Sequence, residues 1–306
     1  MRIAVIGSLN MDQIAEMDVF PSSGQTVMGT SVRFSPGGKG NNQCVAAARL
    51  GGAPEMVGML GADGNGAELR ELLRNEGIET RFVFSCELPT GMAQIQIDRT
   101  GQNRICVIPS ANHAFGFSEL DASDAALREA DILVLQMELR PDVTREAVRR
   151  ARAYGKRIVF NPAPASPLPE DLLRMPDYLT PNETELSVLT GMPAETDEQI
   201  REAAACLRRM GAVGVIVTCG ERGAYADCPD FRGFSVGFRV DAVDTVGAGD
   251  CFNGALAVGL AEGMPLREAL RFSNAAAALS VQSRGAVPSL PYREDVERFL
   301  RERAGT

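Results

Sequence analysis

Histidine and lysine are almost missing from this chain of 306 residues. His113 is the only histidine, which excludes nearly every His-dependent triad and every metal site that needs several imidazoles. Lysine occurs only at Lys39 and Lys156, so arginine carries almost all of the positive charge. Because Lys39 lies inside a glycine-rich segment, we expect its ammonium group to have a function; the alternative is a lysine left there by drift.

Other classes of protein are excluded by what the composition lacks. The net charge of −9 argues against nucleic acid or an anionic membrane as the main partner. The seven cysteines include no pair with CxxC spacing, so neither a disulfide framework nor a zinc site is indicated. The N-terminus is typical of a buried strand rather than a signal peptide, and no apolar run has membrane-spanning length. We therefore expect a cytoplasmic protein.

The most informative segment is Asp-Thr-Val-Gly-Ala-Gly-Asp at residues 244–250. Gly247 and Gly249 allow a tight turn that points successive N–H groups into one concavity, and a helix that starts there adds its positive dipole end. The segment therefore predicts a phosphate site, with Asp250 beside the position where negative charge would develop. Taken alone, it also fits a glycine turn with Asp250 as an N-terminal cap.

Apolar strands alternate with helical patterns along most of the chain, which predicts βα units around a largely parallel sheet. The predicted core strands are Ile3–Gly7, Glu55–Leu60, Ile132–Gln136, Arg157–Phe160, Tyr178–Thr180 and Val213–Thr218. The predicted helices include Asn41–Leu50, Gly64–Glu76, Val143–Tyr154, Asp197–Met210, Gly249–Glu262 and Leu266–Ser283. No linker divides the chain, so we predict a single domain over residues 1–306.

Two segments interrupt this alternation. Residues 13–35 mix polar and apolar side chains with turn signals, and residues 91–108 alternate polar and apolar side chains around a turn. They indicate half-exposed antiparallel strands contributed by about 12–36 and 91–109. These strands form either a lid over the carboxyl ends of the main sheet or an ordinary extension of its edge.

Polar residues follow several predicted strands, where the ligand crevice of an open α/β sheet lies. Asn10 and Asp12 alternate after the first strand and can offer an amide and a carboxylate to hydroxyl groups. Residues 37–43 precede an alanine-rich helix but have neither Walker A nor dinucleotide-binding spacing. Similar polar segments lie at Glu138, Asn161–Pro164, Pro181–Glu185 and Thr218–Gly223. Each alone also fits a turn or a helix cap, whereas together they predict one crevice.

With these segments in view, the chain resembles the ribokinase branch of the PfkB carbohydrate-kinase family over nearly its whole length. The resemblance rests on Gly7–Asp12, Gly37–Gln43, Gln136–Glu138, Asn161–Pro164, Pro181–Glu185 and Asp244–Asp250, the last being the family's C-terminal signature. It implies a ribokinase-like three-layer α/β/α fold with a mostly parallel central sheet and a small antiparallel β lid. It also implies ATP-dependent phosphorylation of the 5-hydroxyl of D-ribose.

The resemblance assigns roles to individual residues. Asp250 would remove the hydroxyl proton while the amides of Gly247, Ala248, Gly249 and Asp250 hold the charge of the transferring group. The positions that match the sugar site are Asn10, Asp12, Gly38, Lys39, Asn42, Glu138 and Asp250. Those that match the nucleotide side are Asn182, Glu185, Thr218, Gly220, Gly223, Gly249 and Asn274, with histidine familiar at the last.

The resemblance also implies ions and a partner. Asn182 and Glu185 match an NxxE motif associated with Mg²⁺ and phosphate. The positions that match the K⁺ loop of potassium-activated members are Asp244, Val246, Ser280, Ser283, Gly285 and Ser289. In the family, the lid forms much of a homodimer contact.

Three alternatives stay open at this stage. A kinase of the same family for another pentose or a nucleoside would need an apolar or aromatic slot for a base, which the absence of tryptophan and the presence of only four tyrosines disfavour. A non-catalytic sugar- or nucleotide-binding regulator should have lost the base or the anion turn, and both are present. An NAD-dependent enzyme would need a glycine fingerprint after the first strand, which is missing.

Overall fold

The computed structural model describes residues 2–303; the predicted domain, residues 1–306, extends outside the described residues at both ends. Its strands are β1 (Ile3–Ile6), β2 (Asn10–Met17), β3 (Gly29–Gly37), β4 (Pro54–Gly61), β5 (Glu79–Cys86), β6 (Gly91–Asp98), β7 (Asn103–Ile108), β8 (Ile132–Leu135), β9 (Arg157–Phe160), β10 (Tyr178–Leu179), β11 (Val215–Thr218), β12 (Gly223–Asp227) and β13 (Arg232–Val236).

The helices separate these strands and make up two further layers. They are α1 (Lys39–Arg49), α2 (Gly64–Asn75), α3 (Ala111–Ala114), α4 (Phe117–Ala122), α5 (Asp124–Glu129), α6 (Pro141–Ala153), α7 (Glu170–Arg174), α8 (Glu183–Thr190), α9 (Asp197–Arg209), α10 (Ala248–Ala261), α11 (Leu266–Ser280), α12 (Ala286–Ser289) and α13 (Arg293–Glu302). Within residues 2–303, no helix combines the length and apolarity needed to cross a bilayer.

A nine-stranded sheet forms the middle layer, in the order β13-β12-β11-β10-β9-β8-β1-β4-β5. The seven strands from β11 to β5 are parallel, and β12 and β13 are antiparallel additions at one edge. Along β1, Ile3 and Val5 enter one buried cluster, whereas Ala4 and Ile6 enter another on the opposite face. Because both faces of the strand are apolar, helices must cover both, and the three-layer α/β/α prediction is confirmed.

The small sheet has the order β3-β2-β6-β7. Its two outer pairings, β2 with β3 and β6 with β7, are antiparallel as expected from the hairpin pattern, but the central pairing of β2 with β6 is parallel. This parallel pairing arises because β2 continues from β1 while β6 follows β5, and β1 and β5 run in the same direction. The register sets Asp12 between Ser35 on β3 and Ala93 on β6.

Helices α1 and α10 pack closely against each other. Gly254 permits it, since a Cβ there would lie 2.7 Å from the backbone oxygen of Gln43 and 2.6 Å from Ala46 Cβ. Nearly all of both helices is buried, including the polar residues at their N-terminal ends. The first turns of α1 and α10 therefore meet at the carboxyl end of the sheet.

Three strands of the main sheet were not among the predicted core strands. β5 is an edge strand that carries exposed charged residues such as Glu79, and β12 and β13 form a hairpin of small and polar residues. None shows the continuous apolar run of a central parallel strand, such as β8. The edge strands β5 and β13 bury only part of their surface, and β12 is buried but consists mainly of glycine, alanine and aspartate with one tyrosine, so hydrophobicity alone did not reveal the three strands.

Candidate active site

The turn predicted to bind an anion begins at Gly247, the N-cap of α10. Its φ of 81° is left-handed, and a Cβ there would approach Ala286 Cα to 3.1 Å, so the position suits glycine. Within α10, Cys251 donates its N–H to Gly247 O at 2.8 Å. The N–H groups of Gly249 and Asp250 precede this bond and have no acceptor inside the helix. The positive end of a helix of 14 residues can therefore stabilise a negative charge in the cleft.

Asp250 lies on the first turn of α10, with only 6% of its surface exposed. Asn42 Nδ2 donates to Asp250 Oδ2 and Gln43 Nε2 donates to Asp250 Oδ1, both at 2.9 Å. Both donors are neutral amides, so they orient the carboxylate without neutralising it. A carboxylate held in place beside an anion-binding helix start can accept a proton from a hydroxyl group.

Asn10 and Asp12 lie on β2 at the entrance to the same cleft. Asn10 Oδ1 accepts a hydrogen bond from Asn112 Nδ2 at 2.7 Å, which directs the amide nitrogen of Asn10 away from Asn112. Asp12 Oδ1 is buried and has no hydrogen-bond donor among the residues that the structure describes. Since a buried acceptor without a donor is unfavourable, this oxygen fits a ligand that brings a hydroxyl group.

Glu138 connects the segment after β8 to the start of α1. Its Oε2 accepts hydrogen bonds from Ser8 Oγ and, at 3.1 Å, from the backbone N–H of Lys39. Gly38 allows the chain to come this close, because its φ is 87° and a Cβ would lie 2.8 Å from Asn10 N. The sugar-side residues predicted from three separate segments therefore lie close together.

Charge is concentrated around Lys39. Burial alone would lower the pKa of Lys39, but the carboxylates of Asp250, Glu138, Glu185 and Asp12 outweigh it and raise that pKa above its ordinary value. Burial, together with Glu138 and Asp250, raises the pKa of Asp12 to about 7, although Lys39 acts in the opposite direction. With one ammonium group among four carboxylates, this region suits a neutral ligand rich in hydroxyl groups, because an anionic ligand would be repelled unless a cation accompanied it.

On the other side of the anion turn lies a second cavity of about 290 Å³. Thr218, Gly220, Gly223, Gly249 and Asn274 all line it, as predicted for the nucleotide side. The remaining lining residues are mostly apolar or small, including Phe238, Val240, Ala277 and Val281. A mostly apolar cavity with a few polar groups is typical of a site for a small-molecule ligand.

Asn274 also has a structural role. Its Nδ2 donates to the backbone oxygen of Ser235 at 2.9 Å and to that of Val236 at 3.4 Å. These bonds attach α11 to the end of β13, directly before Gly237 and Phe238, which line the cavity. The amide thus supplies a donor to the backbone at a position where histidine is familiar in the family.

Asn182 and Glu185 form a reciprocal cap at the start of α8. Asn182 Oδ1 accepts from the N–H of Glu185, and Glu185 Oε2 accepts from the N–H of Asn182, both at 2.8 Å. The pair therefore orders the helix start. Burial raises the pKa of Glu185, despite Asn182 and Lys39, and Asp250 contributes to the rise. Because the charges of Asp250 and Lys39 both affect the pKa of Glu185, this side chain lies near the start of α10 and near the start of α1.

The segments predicted to hold a monovalent cation are joined by Asp244. Its Oδ1 accepts from Val246 N at 3.0 Å and its Oδ2 accepts from Gly285 N at 2.9 Å. The hydroxyls of Ser280 and Ser289 donate to the backbone oxygens of Ala277 and Ala286, both at 2.8 Å. Ser283 is exposed. The two segments thus lie together directly beside the anion turn, as the resemblance implies.

Comparison with known proteins decides the family. Residues 1–293 match the pattern described as pfkB family carbohydrate kinase. The chain belongs to this family. Among PfkB relatives, ribokinase from Haemophilus influenzae is 36% identical over 300 residues, covering 97% of this chain and 98% of the relative. Deoxyribokinase from Salmonella typhi is 34% identical over 302 residues, covering 98% of this chain and 99% of the relative.

A solved PfkB structure is similar along the whole fold. Arabidopsis thaliana ribokinase, solved in complex with ribose and ATP, matches with a TM-score of 0.92 and 35% sequence identity. The match covers 97% of this chain and 98% of the Arabidopsis chain. The recognition of a PfkB carbohydrate kinase and of its ribokinase branch is confirmed.

Sequence reasoning missed three residues of this PfkB site. Asn112 holds Asn10 from a helix about 100 residues away, and no local pattern marks it. Ser8 lies within the motif after the first strand, but the sequence alone assigned no role to it; in the structure its hydroxyl donates a hydrogen bond to Glu138. Gln43 was likewise only part of a glycine-rich motif, although its position directly after Asn42 on one helix was a signal that both face the same partner.

Proposed function

We propose that this protein transfers the γ-phosphoryl group of ATP to the 5-hydroxyl of D-ribose. The observation that carries the proposal is the location of Asp250. It lies at the start of α10, near the hydroxyl-binding side chains of Asp12 and Asn42 and directly after Gly249, which lines a mostly apolar cavity. The ribose and ATP in the Arabidopsis relative's complex support the same pair of substrates.

In the proposed mechanism, this chain supplies position and charge. Asn10, Asp12 and Glu138 hold the sugar hydroxyls, so that the reacting hydroxyl lies against Asp250 and gives its proton to that carboxylate. The N–H groups of Gly249 and Asp250 stabilise the charge of the transferring group. Mg²⁺, held near Glu185 through the nucleotide phosphates, would neutralise phosphate charge. Glu185 fits this role because one of its carboxylate oxygens remains after helix capping.

The function is tested by measuring ADP release with a coupled assay over pentoses, hexoses and nucleosides. The expected result is the highest kcat/KM with D-ribose. The Salmonella deoxyribokinase relative makes 2-deoxyribose the main competing substrate. A clear preference for a nucleoside or another pentose would replace ribose in the proposal, and no turnover with any acceptor would favour the non-catalytic regulator.

We also propose that K⁺ activates the enzyme from the loop joined by Asp244. Among residues 2–303 no group of three His, Cys, Asp or Glu side chains is placed to hold a metal, so mainly backbone and hydroxyl oxygens would bind a cation here. Replacing Na⁺ or tetramethylammonium with K⁺ at equal ionic strength should raise kcat several-fold and leave both KM values nearly unchanged, because the ion orders the anion turn. Equal kcat values in all three salts would contradict this proposal.

A homodimer formed through the small sheet is proposed from its exposed apolar side chains. Val32 and Phe34 on edge strand β3, and Ile105 and Val107 on edge strand β7, are all exposed. The double variant Phe34→Glu/Ile105→Glu should therefore convert a dimer into a monomer in light scattering. The matched control is Val188→Glu, an exposed apolar residue on α8. A monomeric wild-type protein would contradict the proposal.

We infer a cytoplasmic location from the thiols. All seven cysteines are free, and Cys44, Cys219, Cys228 and Cys251 are buried as isolated thiols. Free, unpaired cysteines are typical of proteins in a reducing compartment.

A further inference from the structure

A chain of buried amide side chains contacts Asp250. Gln43 belongs to α1, Gln136 follows β8 and Asn161 follows β9, and their exposed fractions are 0%, 1% and 6%. Both ends of the Gln43 amide already bond to protein groups, the nitrogen to Asp250 and Asn161 and the oxygen to Gln136. Gln43 is therefore not placed to bind a substrate directly.

Two hydrogen bonds of this chain lead from Gln136 through Gln43 to Asp250. Gln136 Nε2 donates to Gln43 Oε1 at 2.7 Å, and Gln43 Nε2 donates to Asp250 Oδ1 at 2.9 Å. Gln43 Nε2 also lies 3.2 Å from Asn161 Oδ1, while Asn161 Nδ2 donates to the backbone oxygen of Thr180 at 2.9 Å. The direction is fixed because Thr180 orients Asn161, and Asn161 and Gln136 orient Gln43.

A reversed Gln43 amide is incompatible with its neighbours. Its oxygen would then face the oxygens of Asp250 and Asn161, and its nitrogen would face the donor of Gln136. All of these contacts would be repulsive. Gln136 therefore supports the orientation in which the nitrogen of Gln43 meets the carboxylate, although Gln136 does not touch Asp250 itself.

The network is unfavourable as simple core packing. Gln136 Oε1 is buried and accepts no hydrogen bond from any described residue, and such a group destabilises the folded state. An apolar side chain of similar size would fill the same space without that penalty. The neutral amides have a property that an apolar side chain lacks, which is that they orient a carboxylate. Unlike lysine or arginine, they do so without placing a positive charge against it.

We propose that Gln43, oriented by Gln136, is a positioning residue that fixes the Asp250 carboxylate for proton transfer. The inference rests on the proposed function, because it takes Asp250 as the base. Asn42 holds one carboxylate oxygen and Gln43 holds the other, so two adjacent residues of α1 set the plane of the carboxylate. Loss of one donor leaves that plane free to rotate away from the hydroxyl group.

The first experiment compares Gln43→Met with the wild-type enzyme. We expect kcat to fall about 10- to 100-fold, as for loss of base alignment, while the KM values for ribose and ATP change less than about threefold. The matched control is Thr144→Val, which removes a buried hydroxyl without a partner in α6 and should leave kcat unchanged. A folded Gln43→Met enzyme with kcat within twofold of wild type overturns the inference.

A second variant keeps the size of the side chain and changes its chemistry at Asp250. Gln43→Glu replaces the donor to Asp250 Oδ1 with an acceptor, so kcat should fall at least as far as in Gln43→Met while the KM values for ribose and ATP change less than about threefold. A folded Gln43→Glu enzyme with kcat within twofold of wild type overturns the inference, because the side-chain packing is kept and only the hydrogen bond is lost. Thermal unfolding and ribose binding, measured on each variant, identify any protein that has lost its fold.

Gln136→Met tests the chain if Gln43→Met does not fold. It removes only the donor to Gln43 Oε1 and leaves the bonds of Gln43 Nε2 to Asp250 and Asn161, so kcat should fall less than in Gln43→Met, and the double variant should be no worse than Gln43→Met alone. Additive losses would show that Gln136 acts independently and would overturn its part. A wild-type enzyme without ribose phosphorylation contradicts the proposed function instead, which separates the two failures.

Discussion

Asp250→Asn is expected to lower kcat by about 10²- to 10⁴-fold while ribose and ATP still bind, since it removes only the proton acceptor. The asparagine has the same shape and keeps the start of α10, with its free N–H groups, in place. Its amide has one oxygen, however, and can accept a hydrogen bond from only one of Asn42 and Gln43. We therefore expect a small loss of stability beside a large loss of turnover.

Single-turnover phosphorylation and calorimetric binding of each substrate separate these effects. Asp241→Asn is a suitable control, because it makes the same change at an exposed carboxylate a few residues before the turn. Near-normal turnover in a folded Asp250→Asn enzyme would show that another group accepts the proton. Weak binding with normal single-turnover rates would assign Asp250 to the substrate site alone.

Much of the fold could be predicted because its central strands consist entirely of apolar residues. β1 and β8 are uninterrupted apolar runs, which only a sheet covered on both faces can bury. The anion turn could be predicted as well, because Gly247 requires a backbone conformation that few other residues adopt. Each of these features is encoded in a few consecutive residues.

Features that depend on distant partners could not be predicted in this way. The hydrogen bond between Asn112 and Asn10 joins residues about 100 positions apart, and asparagine is common in ordinary turns. The parallel pairing of β2 with β6 likewise depends on the direction of two strands in another sheet. Glu185 shows the same limit, because its motif predicted a ligand role whereas the structure also gives it a capping role.

The electrostatics of the cleft are a further long-range property. Asp12 lies on β2, Glu138 follows β8 and Asp250 begins α10, yet burial and these two neighbours raise the pKa of Asp12 to about 7. Carboxylates gathered for sugar binding therefore repel each other when no ligand is bound. Lys39 reduces this repulsion but does not remove it, so the empty site is expected to destabilise the folded protein.

Asp12→Asn should therefore weaken ribose binding and stabilise the ligand-free protein. Loss of a charged acceptor for a sugar hydroxyl should cost about 1–3 kcal/mol of ribose-binding free energy. The KM for ribose should therefore rise roughly 5- to 150-fold, with little change in the KM for ATP. The stabilisation should be about 2 kcal/mol at pH 8, roughly half of what a pKa shift from 3.8 to about 7 would give, since the group is partly exposed.

The direction of this stability effect depends on whether the folded or the unfolded protein binds the Asp12 proton more tightly. Between pH 3.8 and about 7 the folded protein retains the Asp12 proton and the unfolded chain does not, so wild-type stability falls as the pH rises. Asparagine does not titrate, and its advantage should therefore be near zero at pH 4, grow up to about pH 7 and stay constant above it. In a protein of this size, 2 kcal/mol corresponds to a rise in Tm of roughly 3 °C.

Thermal unfolding of both proteins at pH 4.5 and pH 8, without sugar, measures this difference. Glu16→Gln is the matched control, because Glu16 lies on the same strand and makes only an exposed contact with Ser31. Since ribose binds the wild type more tightly, saturating ribose should reverse the order of the two Tm values. A lower Tm for Asp12→Asn at pH 8 without sugar would show that Asp12 is already compensated in the empty cleft, and would remove the electrostatic basis for its role in binding hydroxyl groups.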